Sequence, residues 1–185
     1  MSDRLLSSER LIQGWFDVLR LRMALGGREV DRLLVEHPSG AAVLAYDPDR
    51  WVAMVVRETR AAVLRVGAAP LDEVVAGVAE DRDFVGTARR EALEEAGLEL
   101  RDLEPVARIW MTPSSTTERV HLFLAAYSPA DRVALGGGLA EEDERVEARE
   151  VPLAELWRAA EAELVDAKTF MLLQALRIRR PELFD

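Results

Sequence analysis

An α/β (α+β) domain is what the order of elements predicts. Short Val-, Leu- and Ala-rich runs bounded by turn residues fill the first half, one capped helical segment sits in the middle, and two helix-length segments close the chain. The 185 residues are 49% hydrophobic, enough for one packed core with at most a small appendage.

The elements follow in order. Trp15 to Met23 alternates in part and reads as a strand ending at the Gly26-Gly27 turn and pairing with Glu29 to Glu36 as a hairpin; a helix is its other reading. Val30 to Glu36, Ala41 to Tyr46 and Trp51 to Arg57 read as strands, separated by His37-Pro38-Ser39-Gly40 and Asp47-Pro48-Asp49. Leu71 to Ala76 looks like a strand closed by Gly77. Asp83 caps a helix running to about Glu95, and Gly97 stands where a left-handed stop residue is wanted. Strands follow at Val106 to Met111 and Val120 to Tyr127, split by the polar loop Thr112 to Arg119. The glycine-rich, acidic stretch Gly136 to Glu144 breaks regular structure before a strand at Val146 to Val151. Pro152 starts the helix Leu153 to Ala162, and Asp166 to Arg179 forms the closing helix.

Composition narrows the function. A net charge of -10 disfavours nucleic-acid binding, yet a divalent cation and a few arginines reverse the field locally for a phosphorylated small molecule. The absence of cysteine excludes disulfides, thiolate zinc sites and cysteine nucleophiles. No apolar run approaches the ~20 residues of a membrane span, and the first ten residues are polar and charged, so a cytoplasmic protein is expected.

Gly77 to Leu98, GVAEDRDFVGTARREALEEAGL, carries the chemistry. On a helix, Glu91 shares a face with Glu94 and Glu95, because steps of three and four residues stack side chains. Crowded carboxylates repel, and a hard cation that prefers oxygen turns that repulsion into binding. Magnesium, with manganese as alternative, is the expected cofactor. The two histidines, His37 and His121, have no companion at ligand spacing and read as structural.

Arg90-Glu91-Ala92-Leu93-Glu94-Glu95-Ala96-Gly97-Leu98 resembles the end of the Nudix box at every specified position. The start departs from the common form: Asp83 replaces a glutamate, and Arg90 arrives one residue early, a shortening associated with the GDP-mannose branch. The resemblance spans about Val30 to Leu176. It implies the Nudix fold, a mixed sheet sandwiched between helices, with a small N-terminal β appendage. Residues 1–40 would form that appendage, exchanged across a homodimer, and 41–185 the hydrolase domain. It further implies metal binding by the carbonyl of Ala76 and by Glu91 and Glu95, with Glu94 as a further ligand and Arg90 orienting the carboxylates by a salt bridge. The loop after Gly136-Gly137-Gly138 resembles the segment that brings in the catalytic base, placed at Glu142 with Glu144 in reserve. Arg57 and Arg60 resemble paired substrate arginines, whose guanidinium forks suit phosphate oxygens. Glu73 and Glu118 fall at positions of substrate-contacting or loop-ordering acids. The implied reaction is metal-dependent hydrolysis of a nucleoside diphosphate sugar of GDP-mannose or ADP-ribose type. The alternatives are a Nudix-derived module that senses a nucleotide sugar without cutting it, or a Nudix enzyme for another nucleoside diphosphate derivative.

Overall fold

The computed structural model describes residues 2–79, 81–138, 146–162 and 165–184. A seven-stranded mixed sheet is built from β4 (Gly40–Asp47), β5 (Val52–Arg57), β6 (Asp72–Glu73), β7 (Val75–Val78), β8 (Glu104–Trp110), β9 (Arg119–Ala126) and β10 (Glu147–Pro152). Its main path runs β10-β5-β4-β9-β8, with β6 on β5 and β7 on β4. Only the β4–β9 pair is parallel among these.

β4 explains the layering. Every one of its residues is buried, as expected of a central strand covered on both sides. Alternation then sorts its side chains. Ala42, Leu44 and Tyr46 face α3 (Leu153–Ala162) and α4 (Ala167–Arg179), packing with Leu156, Trp157, Leu172 and Leu176. Ala41, Val43 and Ala45 face α2 (Phe84–Ala96), packing with Ala88, Ala92 and Ala96. The sheet is therefore sandwiched between helices, as expected.

Two elements escape the sequence reading, and one differs from it. β1 (Arg4–Ile12) is exposed at all nine residues, so no face carries a burial pattern that would mark a strand. It pairs with β2 (Asp17–Leu25), which forms a hairpin with β3 (Arg28–Glu36) through Gly26 and Gly27, at φ 55° and 84°. Positive φ at both central residues is what a tight hairpin turn demands. These strands make a separate three-stranded sheet. The short helix α1 (Ala61–Arg65) buries no residue and was equally silent in the sequence.

The expected single strand from Leu71 to Ala76 is instead split at Val74, and Gly77 lies inside β7 rather than closing it. β6 pairs with β5 and β7 with β4, so the chain changes partner at Val74. Its buried amide, which neither neighbour takes up, donates to Thr169 Oγ1 on α4 at 2.9 Å.

Candidate active site

The box helix forms as its sequence dictates. Asp83 accepts from the Gly86 amide at 2.9 Å, and Gly97, at φ 68°, ends the helix with its amide on the Leu93 carbonyl at 3.0 Å. The helix then crosses the sheet along one row. Gly77 on β7, Ala41 on β4, His121 on β9 and Arg108 on β8 are register partners. Phe84 stacks on His121, with ring centroids 3.5 Å apart and planes 10° apart. Seven residues later Glu91 reaches Gly77. Seven residues of helix advance ~10.5 Å and two strand spacings cover ~9.6 Å, so the two periods match.

That match presses the Glu91 carboxyl onto the backbone of β7. A Cβ on Gly77 would lie 1.9 Å from Glu91 Oε1, so only glycine leaves the carboxyl its place. Glu91 therefore sits against Gly77, the residue that follows Ala76, whose carbonyl is the expected ligand. Arg90 donates to Glu91 Oε1 and to Glu94 Oε2, each at 2.7 Å. Burial works against the charge on Arg90, but Glu91 and Glu94 outweigh it and raise its pKa above the ordinary value. Glu95, on the same helix, is 3% exposed.

The C-terminal turn of α2 holds the glycine run. Gly137 and Gly138 donate to the carbonyls of Glu95 and Glu94 at 2.9 and 3.1 Å, which satisfies two acceptors that a helix end leaves open. The Val146 amide returns to the Gly137 carbonyl at 3.3 Å. Both ends of segment 139–145 thus stand at the carboxylate end of α2. Glu142 and Glu144 lie within that segment, outside the described residues. Gly136, at φ 75°, would place a Cβ 2.3 Å from the Glu95 carbonyl oxygen, a backbone atom that cannot swing away. Gly136→Ala is therefore expected to lower stability by about 1–3 kcal/mol and turnover at least tenfold, read by urea unfolding and by steady-state kinetics.

The expected substrate arginines diverge. Arg60 donates to both oxygens of Glu73, at 2.9 and 3.1 Å, and lies within electrostatic range of Glu95. Arg57 turns instead to Asp72, at 3.1 Å, which it shares with Arg149. Glu73 is 4% exposed and holds Arg60 in place, with Lys168 Nζ 3.7 Å from the same Oε2 that Arg60 Nη2 reaches. Glu118 stands apart. Its loop is stitched to the end of β3 by Thr117 and Ser115, through His37 and Val35, and no hydrogen bond or ion pair links Glu118 to the box side chains among the described residues.

Sequence reasoning missed Asp72, Arg149, Lys168 and Asp166. One signal was present, since Lys168 is the only lysine in the chain. Asp166 caps α4 and pairs with Lys168 at 2.7 Å. Burial opposes its ionisation, but Lys168 and the Thr169 amide and hydroxyl hold its pKa below the ordinary aspartate value.

The donor types on offer suit a hard cation: Glu91 lies against Gly77 and Glu95 is buried one helical turn further along α2, with no sulfur among them. Among the described residues no three acidic or histidine side chains make a ready cage.

Comparison with known proteins identifies the family of the chain. The NUDIX domain family matches residues 36–173. A GDP-mannose pyrophosphatase of Cronobacter sakazakii is 36% identical over 151 residues, covering 80% of this chain and 78% of the relative. One from Klebsiella pneumoniae is 33% identical over 187 residues, covering 96% and 90%. One from Escherichia coli is 31% identical over 150 residues, covering 80% and 78%. A helix that lays its box glutamate on a box glycine, inside a match spanning most of the chain, means that this protein belongs to the NUDIX domain family.

Proposed function

We propose that the protein hydrolyses the pyrophosphate of a nucleoside diphosphate sugar, of GDP-mannose type with ADP-ribose next, to a nucleoside monophosphate and a sugar phosphate. The observation that carries this reading is the Glu91 carboxyl seated on the Ala76-Gly77 backbone, in a chain similar along most of its length to GDP-mannose pyrophosphatases.

Hydrolysis adds water across the P–O–P bridge. The water oxygen bonds to one phosphorus, the bridging oxygen leaves with the other phosphoryl group, and a proton passes to a carboxylate. Anionic phosphates repel the incoming oxygen, so charge must be neutralised where the bond forms. Divalent cations, magnesium or manganese, held by Ala76 O, Glu91 and Glu95 with Glu94 behind, would supply that neutralisation. Arg90 keeps Glu91 and Glu94 fixed. Arg60, braced by Glu73, would take a phosphate oxygen in place of Glu58, which holds its Nη1, and Arg57 would join it by exchanging Asp72 for substrate. Glu142, or Glu144 in its place, would accept the proton, from a segment whose two ends stand beside Glu94 and Glu95. Glu118 would act at the rim, from the loop tied to β3.

A homodimer that exchanges residues 1–40 belongs to the same reading. Leu5, Ile12 and Leu33 of the N-terminal sheet, and Trp15 in the bend between β1 and β2, are all more than half exposed in the single chain, which favours a second copy covering them. No helix of the described residues is long and apolar enough to cross a membrane.

A panel of GDP-mannose, ADP-ribose, ADP-glucose, a dinucleotide and nucleoside triphosphates, with magnesium or chelator, tests the substrate class. Cation-dependent release of monophosphate from the sugar nucleotides is expected; preference for triphosphates would overturn the sugar-nucleotide assignment.

A further inference from the structure

At the amino-terminal end of α2, away from Glu91, Glu94 and Glu95, opens a groove of about 890 Å³. Arg82, Arg108 and Arg119 line it, and Glu36 is the one carboxylate among its described lining residues. None of the three guanidinium groups reaches a carboxylate within ion-pair distance among the described residues. In a chain of net charge -10, this concentrates uncompensated positive charge in a concave site, where low-dielectric walls focus the field.

The groove also offers a flat apolar surface. Trp110 is 54% exposed, with the Arg119 guanidinium 5.3 Å from its ring centroid. The stacked Phe84 and His121 rings form another wall. His121 reports the local field: burial first, then the charges of Arg108 and Arg119, push its pKa below the ordinary histidine value. Arg82 holds φ 64°, a conformation that side chains seldom adopt, so its guanidinium is presented from a constrained turn.

We propose that this groove is a second anion site that takes a mononucleotide, its phosphate among Arg82, Arg108 and Arg119 and its base on the indole of Trp110. Guanidinium forks suit phosphate oxygens, and aromatic faces stack bases of any identity. The site is distinct from the carboxylate end. Arg108 stands three strands from Gly77 along the sheet row, ~14 Å away, and α2 spans the strands between them. The proposal does not rest on the hydrolysis reading.

Calorimetric titration of the full chain with GMP and with inorganic pyrophosphate, in chelator at low and moderate salt, tests it. Arg108→Ala/Arg119→Ala is expected to weaken both ligands at least tenfold. Arg82→Gly, which suits the local φ, should weaken both as well. Trp110→Ala should weaken GMP and spare pyrophosphate, and Arg60→Ala should leave GMP binding at the groove unchanged. GMP binding that ignores the double arginine variant, or that is lost through Arg60→Ala alone, overturns the site. GMP binding that ignores Trp110→Ala overturns the mononucleotide assignment. Failure of the hydrolysis reading would appear in the substrate panel instead.

Discussion

Replacing Glu91 and Glu95 together with glutamine is expected to lower cation-dependent turnover by about 10³-fold or more, because the transition-state charge then loses its neutralising cation. Glutamine keeps the shape and one acceptor oxygen of each side chain but removes the charge. The fold should survive this. Arg90 loses its pairing with an ionised Glu91 but keeps Glu94, and at 47% exposure that surface pair contributes at most a few tenths of a kcal/mol after solvent screening. Glu95 is buried, so neutralising it also removes a desolvation penalty. A thermal midpoint within a few degrees of the parent, beside lost turnover, is the expected pair of results. Turnover that persists with its cation dependence intact would sink the metal-site assignment.

The sequence disclosed what local rules determine. Asp83 and Gly97 delimit α2 because cap chemistry is local, and β4 announces its double burial by an unbroken apolar run. It did not disclose β1, because a strand exposed along both faces leaves no alternation to find. Nor could it separate Arg57 from Arg60. Three residues apart in the chain, they look like one clamp. The adjacent acids of β6 draw them apart, Asp72 taking Arg57 and Glu73 taking Arg60. The site's most informative relation, Glu91 upon Gly77, joins residues fourteen positions apart. It depends on α2 crossing two strands in seven residues, a tertiary coincidence of helix rise and strand spacing.

That relation supports the second large effect. Gly77→Ala is expected to reduce turnover by about 10²-fold or more while the protein stays folded. The added Cβ would meet Glu91 Oε1 at 1.9 Å, Cδ at 2.1 Å and Cγ at 2.6 Å. All three atoms belong to one flexible side chain, so the clash is relieved by swinging Glu91 away rather than by moving backbone. Gly77 does not occupy the left-handed region, and alanine retains the amide and carbonyl that pair β7 with β4. The fold therefore loses little, whereas the carboxyl loses its seat against Gly77. Gly136→Ala is the contrasting case, since its Cβ meets main-chain atoms at a positive φ and must cost stability as well. For Gly77→Ala the concentration of magnesium giving half-maximal rate should rise, with the unfolding midpoint shifted by only a few degrees. Parent-like turnover and magnesium dependence would mean that Glu91 need not lie against the Ala76-Gly77 backbone during the reaction, and the proposed ligand set would fall with it.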